Sequence, residues 1–186
     1  MSYTHLTWLL SGKEKPFPTT SGTLWPAAYL ALIEQEKREK IFMLRSTAPT
    51  GKAGIIIQRS EWDFTVISRT YHISDIVGHT GEQQIESFYQ LSDTLHESWA
   101  TSPRSLTVEH DLFMRLFDGE EFPGVITEPR TEGIKYDEWA DDLRDYEHKY
   151  PIAQYYAMWY GEGFIAAQRI LRDRLSSKDT SNDLPL

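Results

Sequence analysis

The run from Tyr136 to Leu175 constrains the fold most, because it carries the strongest helical periodicity in the chain. Its second part begins at Tyr150-Pro151. Apolar residues then fall at Ile152, Tyr155, Tyr156, Trp159, Tyr160, Phe164, Ala167, Ile170, Leu171 and Leu175. That spacing makes one broad helical stripe, and Pro151 suits a first turn. A stripe this wide is expected to be core and scaffold. Arg169, Arg172 and Arg174 would sit near the helix C-terminus, where cations suit the dipole. Gly161-Glu162-Gly163 interrupts the stripe, and each glycine costs about 1 kcal/mol relative to alanine. Close packing, a kink or a break would account for them. The functional alternative places Trp159, Tyr160 and Glu162 at the lip of a pocket.

The first part is acidic, with Asp137, Glu138, Asp141, Asp142, Asp145 and Glu147 in one short segment. A helix there puts Trp139, Leu143 and Tyr146 on one face, at i, i+4 and i+7. Most of the carboxylates must then face solvent, which is the ordinary fate of a charge run. The functional alternative is an electrostatic docking surface for a basic partner protein, formed by Asp137, Glu138, Trp139, Asp141, Asp142 and Asp145. The carboxylate spacing does not resemble an EF-hand loop, and no metal or cofactor is expected.

Strands are expected mainly in the N-terminal half. Leu6, Trp8 and Leu10 alternate within Tyr3–Leu10 and suggest an opening strand, followed by a loop over 11–22. A helix over 24–40 follows, with Pro26 in its first turn and Tyr29, Leu30 and Ile33 on its apolar side. Ile41–Arg45 could end that helix or begin a strand. Ile55-Ile56-Ile57 is the most β-prone run, and its three consecutive isoleucines suggest a strand covered on both faces. A turn at Ser60-Glu61-Trp62 would pair it with a strand over Asp63–His72 as a central antiparallel hairpin.

A loop over Asp75–Gly81 leads to Thr80-Gly81-Glu82-Gln83, which has the form of a capping box. The helix beyond it would bury Ile85, Phe88, Leu95 and Trp99. Ser102-Pro103 can open another helix, with Leu106, Phe113, Leu116 and Phe117 inside and Gly119 as its stop. Glu120–Gly133 reads as a long loop with room for a short strand at Val125-Ile126. The result is an α+β domain over 1–176, in which a small antiparallel sheet packs against four to five helices, with a polar tail over 177–186.

Composition excludes several functions. With 19 Lys and Arg against 28 Asp and Glu, the net charge is −9, which disfavours broad nucleic-acid binding and anionic membranes. The absence of cysteine removes disulfides, thiolate nucleophiles and Cys-ligated metals. Met1–Gly12 lacks the form of a signal peptide, and no stretch has the ~20 apolar residues of a membrane span. A cytoplasmic location is expected. Thr50-Gly51-Lys52-Ala53 lacks the first glycine and the Ser or Thr of a phosphate loop.

His72, Asp75, His79 and Glu82 lie close in sequence but match no standard metal spacing. The leading expectation is a non-enzymatic protein-binding protein that docks a basic partner. An inhibitor or toxin-neutralising immunity protein is its most concrete form. Alternatives are a small hydrolase-like enzyme using His72, His79 or Glu162 in a cleft, and a subunit of a larger assembly.

Overall fold

The computed structural model describes residues 10–12, 15–22, 25–35, 40–97, 103–128, 130–146 and 152–182. Among them, seven strands form one sheet: β1 (Thr19–Thr20), β2 (Lys40–Ser46), β3 (Lys52–Ser60), β4 (Asp63–Ile67), β5 (Tyr71–His72), β6 (Arg104–Val108) and β7 (Ile134–Asp137). Six helices accompany them: α1 (Pro26–Gln35), α2 (Gly78–Glu97), α3 (His110–Asp118), α4 (Trp139–Arg144), α5 (Ile152–Tyr160) and α6 (Glu162–Asn182). The strand order is β1-β4-β3-β2-β6-β7, with β5 also on β3.

The α+β class holds, but the expected antiparallel sheet is mixed and extends beyond the N-terminal half. β1 runs parallel to β4, and β2 parallel to β6. The hairpin β3–β4 is antiparallel, with Ile57 opposite Thr65. Residues 41–45 belong to a strand throughout, and all five are buried.

Covering both sheet faces explains the isoleucine run. Ile55 and Ile57 point into a core shared with α1, α2, α4, α5 and α6. Ile56 points the other way, into a core capped by α3 and the short 3-10 turn Pro123–Thr127. All three are fully buried, and each contributes about 1.5–3 kcal/mol of apolar burial. Strands buried on both faces lose the alternation that marks a half-exposed strand.

Three local expectations change. Arg104–Val108 is a strand rather than the start of a helix. Leu106 and Val108 enter the α3 core, and the alternation of Ser105 and Thr107 between them is the strand's own period. α2 starts at Gly78, so Thr80 lies inside its first turn and does not cap it. Val125-Ile126 sits in the 3-10 turn, not a strand. Gly119 does stop α3, at φ +74°, with its N–H reaching the carbonyls of Arg115 and Leu116. A β-carbon there would lie 2.3 Å from the Phe17 carbonyl oxygen, so glycine is needed twice over.

The Tyr136–Leu175 run also divides differently. Tyr136 and Asp137 belong to β7, and the acidic helix is six residues long. Gly161, at φ +87°, ends the aromatic helix and separates α5 from α6. Gly163 packs where a β-carbon would sit 3.3 Å from the Ser74 β-carbon, so the pair of glycines serves a break and a close approach. α6 runs on to Asn182, which makes residues 177–182 helical and puts Arg169, Arg172 and Arg174 in mid-helix. The opening strand at Tyr3–Leu10 lies outside the described residues except for Leu10, which is helical and exposed. Trp99 and Glu147 also lie outside them. No described helix is long and apolar enough to cross a membrane.

Candidate functional site

The acidic segment takes its geometry from one anchor, Trp139. This side chain is fully buried, and its indole N–H donates to the Leu106 carbonyl at 3.1 Å. It stacks on Phe88 with ring centroids 5.4 Å apart. Ala140 and Leu143 are buried beside it. With that face committed to the core, the carboxylates of α4 divide into two sets.

One set turns inward. Asp142 accepts the Tyr160 hydroxyl at 2.7 Å, and its backbone carbonyl accepts the Gln168 amide at 2.7 Å. Burial, then the Asp142 bond, pushes the Tyr160 hydroxyl pKa upward. Asp137 is largely buried at the end of β7, and burial raises its pKa. Across β6 lies Arg45, only 5% exposed. Its guanidinium donates to the Tyr160 carbonyl at 2.8 Å and lies 5.3 Å from the centre of the Phe164 ring. Burial lowers the Arg45 pKa to about 10, against the attraction of Asp137.

The second set faces outward. Glu138, Asp141 and Asp145 are exposed. Asp145 also accepts the Tyr156 hydroxyl at 3.1 Å, which ties α4 to α5. Asp141 lies 2.6 Å from His96 Nε2 and 3.7 Å from Arg144, which itself grips Asp93 at 2.7 Å. The segment is thus partly neutralised by its own chain. Of the six residues expected to dock a partner, Glu138, Asp141 and Asp145 reach the surface, while Asp137, Trp139 and Asp142 serve the interior.

The bond to Asp141 raises the His96 pKa above its ordinary 6.5, against burial, and holds Asp141 below its ordinary 3.8. A raised histidine contributes stability that is complete below its unfolded value and is lost as pH rises through the folded value. A depressed aspartate contributes stability that is present above its unfolded value and is lost as pH falls through the folded one. Between these limits the pair stabilises the junction of α2 and α4. Asp141 is half in solvent, so the expected loss on raising the pH from about 6 to 9 is only about 1 kcal/mol. Urea unfolding at a series of pH values should show that loss in the wild type and not in His96→Gln. An identical slope in both proteins would remove this assignment.

The unexpected element of the site is α5. Ile152, Tyr155, Met158 and Trp159 are 42%, 53%, 71% and 52% exposed. They share one face of the helix, and the Tyr155 and Trp159 rings lie 5.8 Å apart. Tyr156 and Tyr160, one step around the helix, turn toward Asp145 and Asp142. The wide stripe expected to be scaffold is therefore half core and half surface. Its excess width was the only signal available, since a helix packed on one side needs a narrower band.

The histidine candidates do not converge. His72 lies in β5 with its backbone N–H donated to Gln84, and burial holds its ring pKa low. His79 is exposed and 3.4 Å from Glu82, while Glu162 opens α6 in solvent. Among the described residues, no hydrogen bond or ion pair joins any two of these three, and no cluster of His, Asp and Glu could hold a metal ion. No family model, no curated protein and no solved structure matches the chain.

Proposed function

We propose that the protein is a cytoplasmic protein-binding module that docks a basic, amphipathic segment of its partner across α4 and α5. One observation carries this reading: α5 exposes a row of apolar side chains, and the bond from Tyr156 to Asp145 ties that helix to the acidic segment whose Glu138, Asp141 and Asp145 are exposed. Tyr, Trp and Met are the residue types that dominate interface energetics. Their exposure on a free surface is otherwise unfavourable, whereas a partner's apolar residues would cover them. Glu138, Asp141 and Asp145 would then meet the partner's Lys and Arg side chains at the rim, setting orientation and association rate more than affinity. An inhibitor or immunity protein that blocks a basic enzyme is the most concrete form of this function.

Trp159→Ala should weaken the complex with the native partner by about 2 kcal/mol or more, as an interface anchor does. It should change the unfolding free energy by no more than about 1 kcal/mol, since the ring is half exposed and meets the core only through the rings of Tyr156 and Tyr160. Glu138→Lys should weaken binding less, and the difference should shrink as salt is added. Calorimetry with the captured partner checks all three. A partner that binds Trp159→Ala and Glu138→Lys as tightly as wild type would overturn the assignment. For the inhibitor form, one equivalent of this protein should also suppress the partner's enzymatic activity.

A further inference from the structure

Away from the α4–α5 surface, a cleft of about 650 Å³ opens between the start of α1, the outer face of α2 and α6. Small-ligand sites usually occupy about 300–1,000 Å³. Three kinds of chemistry meet in it. Trp25 forms a wall with Pro26, and Trp25 is 77% exposed. Gln83 and Gln84 project from consecutive positions at the start of α2. Gln84 spends its carbonyl oxygen on the His72 N–H, and that bond orients its amide group. Arg69, on the link between β4 and β5, and Arg174, on α6, bring two guanidinium groups.

Those two arginines are not equivalent. Arg174 is held by Glu86 at 2.7 Å, with Glu82 at 3.7 Å, and Glu86 is only 6% exposed. The pair is a fixed structural strut between α2 and α6. Arg69 has no carboxylate partner among the described residues. It is exposed, it lines the cleft, and its charge already depresses the pKa of His72 nearby. Among the described residues, the charged side chains lining the cleft are Arg69, Arg174 and Glu86, a positive balance inside a chain of net charge −9. Low-dielectric walls concentrate such a field on a small anion.

We propose that this cleft binds a nucleoside monophosphate. The base stacks on Trp25, the amides of Gln83 and Gln84 meet the polar edge of the base, and Arg69 takes the phosphate. Each assignment follows from chemistry. Indole faces accept any planar base, the Gln84 amide N–H and the Gln83 carbonyl oxygen supply a donor and an acceptor while their other atoms meet His72 and His79, and a guanidinium fork fits phosphate oxygens. The proposal does not depend on the docking reading, because the two sites share no residue.

The test is calorimetric titration of the full chain at low salt with the 5′-monophosphates of adenosine, guanosine, cytidine and uridine. Adenosine and inorganic phosphate serve as partial ligands. Binding of at least one monophosphate with a dissociation constant below about 1 mM is expected. Trp25→Ala should weaken that nucleotide and its nucleoside alike by about tenfold or more. Arg69→Gln should weaken the nucleotide by a similar factor and leave the nucleoside unchanged. Both positions are exposed, so unaltered melting temperatures are expected. If Trp25→Ala melts early, Gln83→Ala replaces it, with weaker binding of nucleotide and nucleoside expected. Failure of all four nucleotides to bind wild type would overturn the proposal. So would inorganic phosphate binding as tightly as the nucleotide, or the Arg69 and Trp25 or Gln83 variants binding like wild type.

Discussion

Trp139→Ala should lower the unfolding free energy by about 3–5 kcal/mol, the range for removing a large aromatic from a core. Trp139 is among the largest fully buried side chains and touches both halves of the molecule. Its ring stacks on Phe88 of α2, which in turn meets the Tyr71 ring edge-on at 5.3 Å. Its N–H satisfies the carbonyl of Leu106 in β6. Deletion therefore opens a cavity at the meeting point of sheet, α2 and α4, and also leaves a buried carbonyl without its donor. Domains of this size are stable by about 5–15 kcal/mol in total, so the variant should unfold at far lower urea. The midpoint should fall with the slope unchanged, because the surface exposed on unfolding is nearly the same. Trp159→Ala is the internal control, with the same chemical change on the solvent side of α5. Similar midpoints for the two variants would contradict the packing described for α4.

The second large effect concerns Arg45 and Asp137. Arg45→Met should cost about 1–3 kcal/mol at pH 7, since it removes the buried bond to the Tyr160 carbonyl and the contact with the Phe164 ring, and leaves Asp137 without a nearby positive charge. Methionine matches the arginine stem in length and apolar contact, so the loss is electrostatic rather than steric. Asp137, already raised by burial, would lose the attraction of Arg45. An aspartate whose folded pKa lies above its unfolded value destabilises the fold fully at high pH, and that penalty is relieved as pH falls. The deficit of Arg45→Met should thus shrink between pH 7 and about 4. The double variant Arg45→Met, Asp137→Asn should recover part of the loss at pH 7, because it removes the Asp137 charge that Arg45 attracts, while the bond to Tyr160 stays lost. A double variant no more stable than Arg45→Met would show that the two groups are not coupled.

Both predictions rest on residues whose sequence context gave little warning. Trp139 reads as one apolar position in an acidic run. Arg45 ends an apolar stretch, where a terminal basic residue is normally solvated. Only its position on the inner face of β2, under Tyr160 and Phe164, makes it a buried cation. Local features fared better. Pro26 opens α1, Trp62 lies in the β3–β4 turn, and Gly119 closes α3. Each is decided by backbone chemistry within a few residues, which sequence displays directly.

The strand at Arg104–Val108 marks the boundary between the two kinds of information. Leu106 and Phe113 stand seven apart, which suits one continuous helix, yet the alternation around Leu106 suits a strand equally well. What selects the strand is parallel pairing with Phe42–Ser46, about sixty residues earlier, and antiparallel pairing with β7. Neither partner leaves a local trace. With the short β1–β4 pair, the parallel β2–β6 pair is also why the sheet is mixed rather than antiparallel.

By itself, the sequence determined the α+β class, the two-faced burial of Ile55–Ile57, the helix boundaries at Pro26 and Gly119, and the acidic and aromatic character of 137–160. These follow from periodicity and dihedral preference, which are properties of neighbours along the chain. Tertiary structure alone decided which carboxylates face inward to tyrosine and which face solvent. It also decided that half of the aromatic stripe on α5 stays uncovered. A helix displays its apolar residues all around one broad arc, but the amount of that arc that is buried depends on the neighbours packed against it. For α5 those neighbours are α4 and α6, and they cover the side of Tyr156 and Tyr160 while leaving Tyr155, Met158 and Trp159 in solvent.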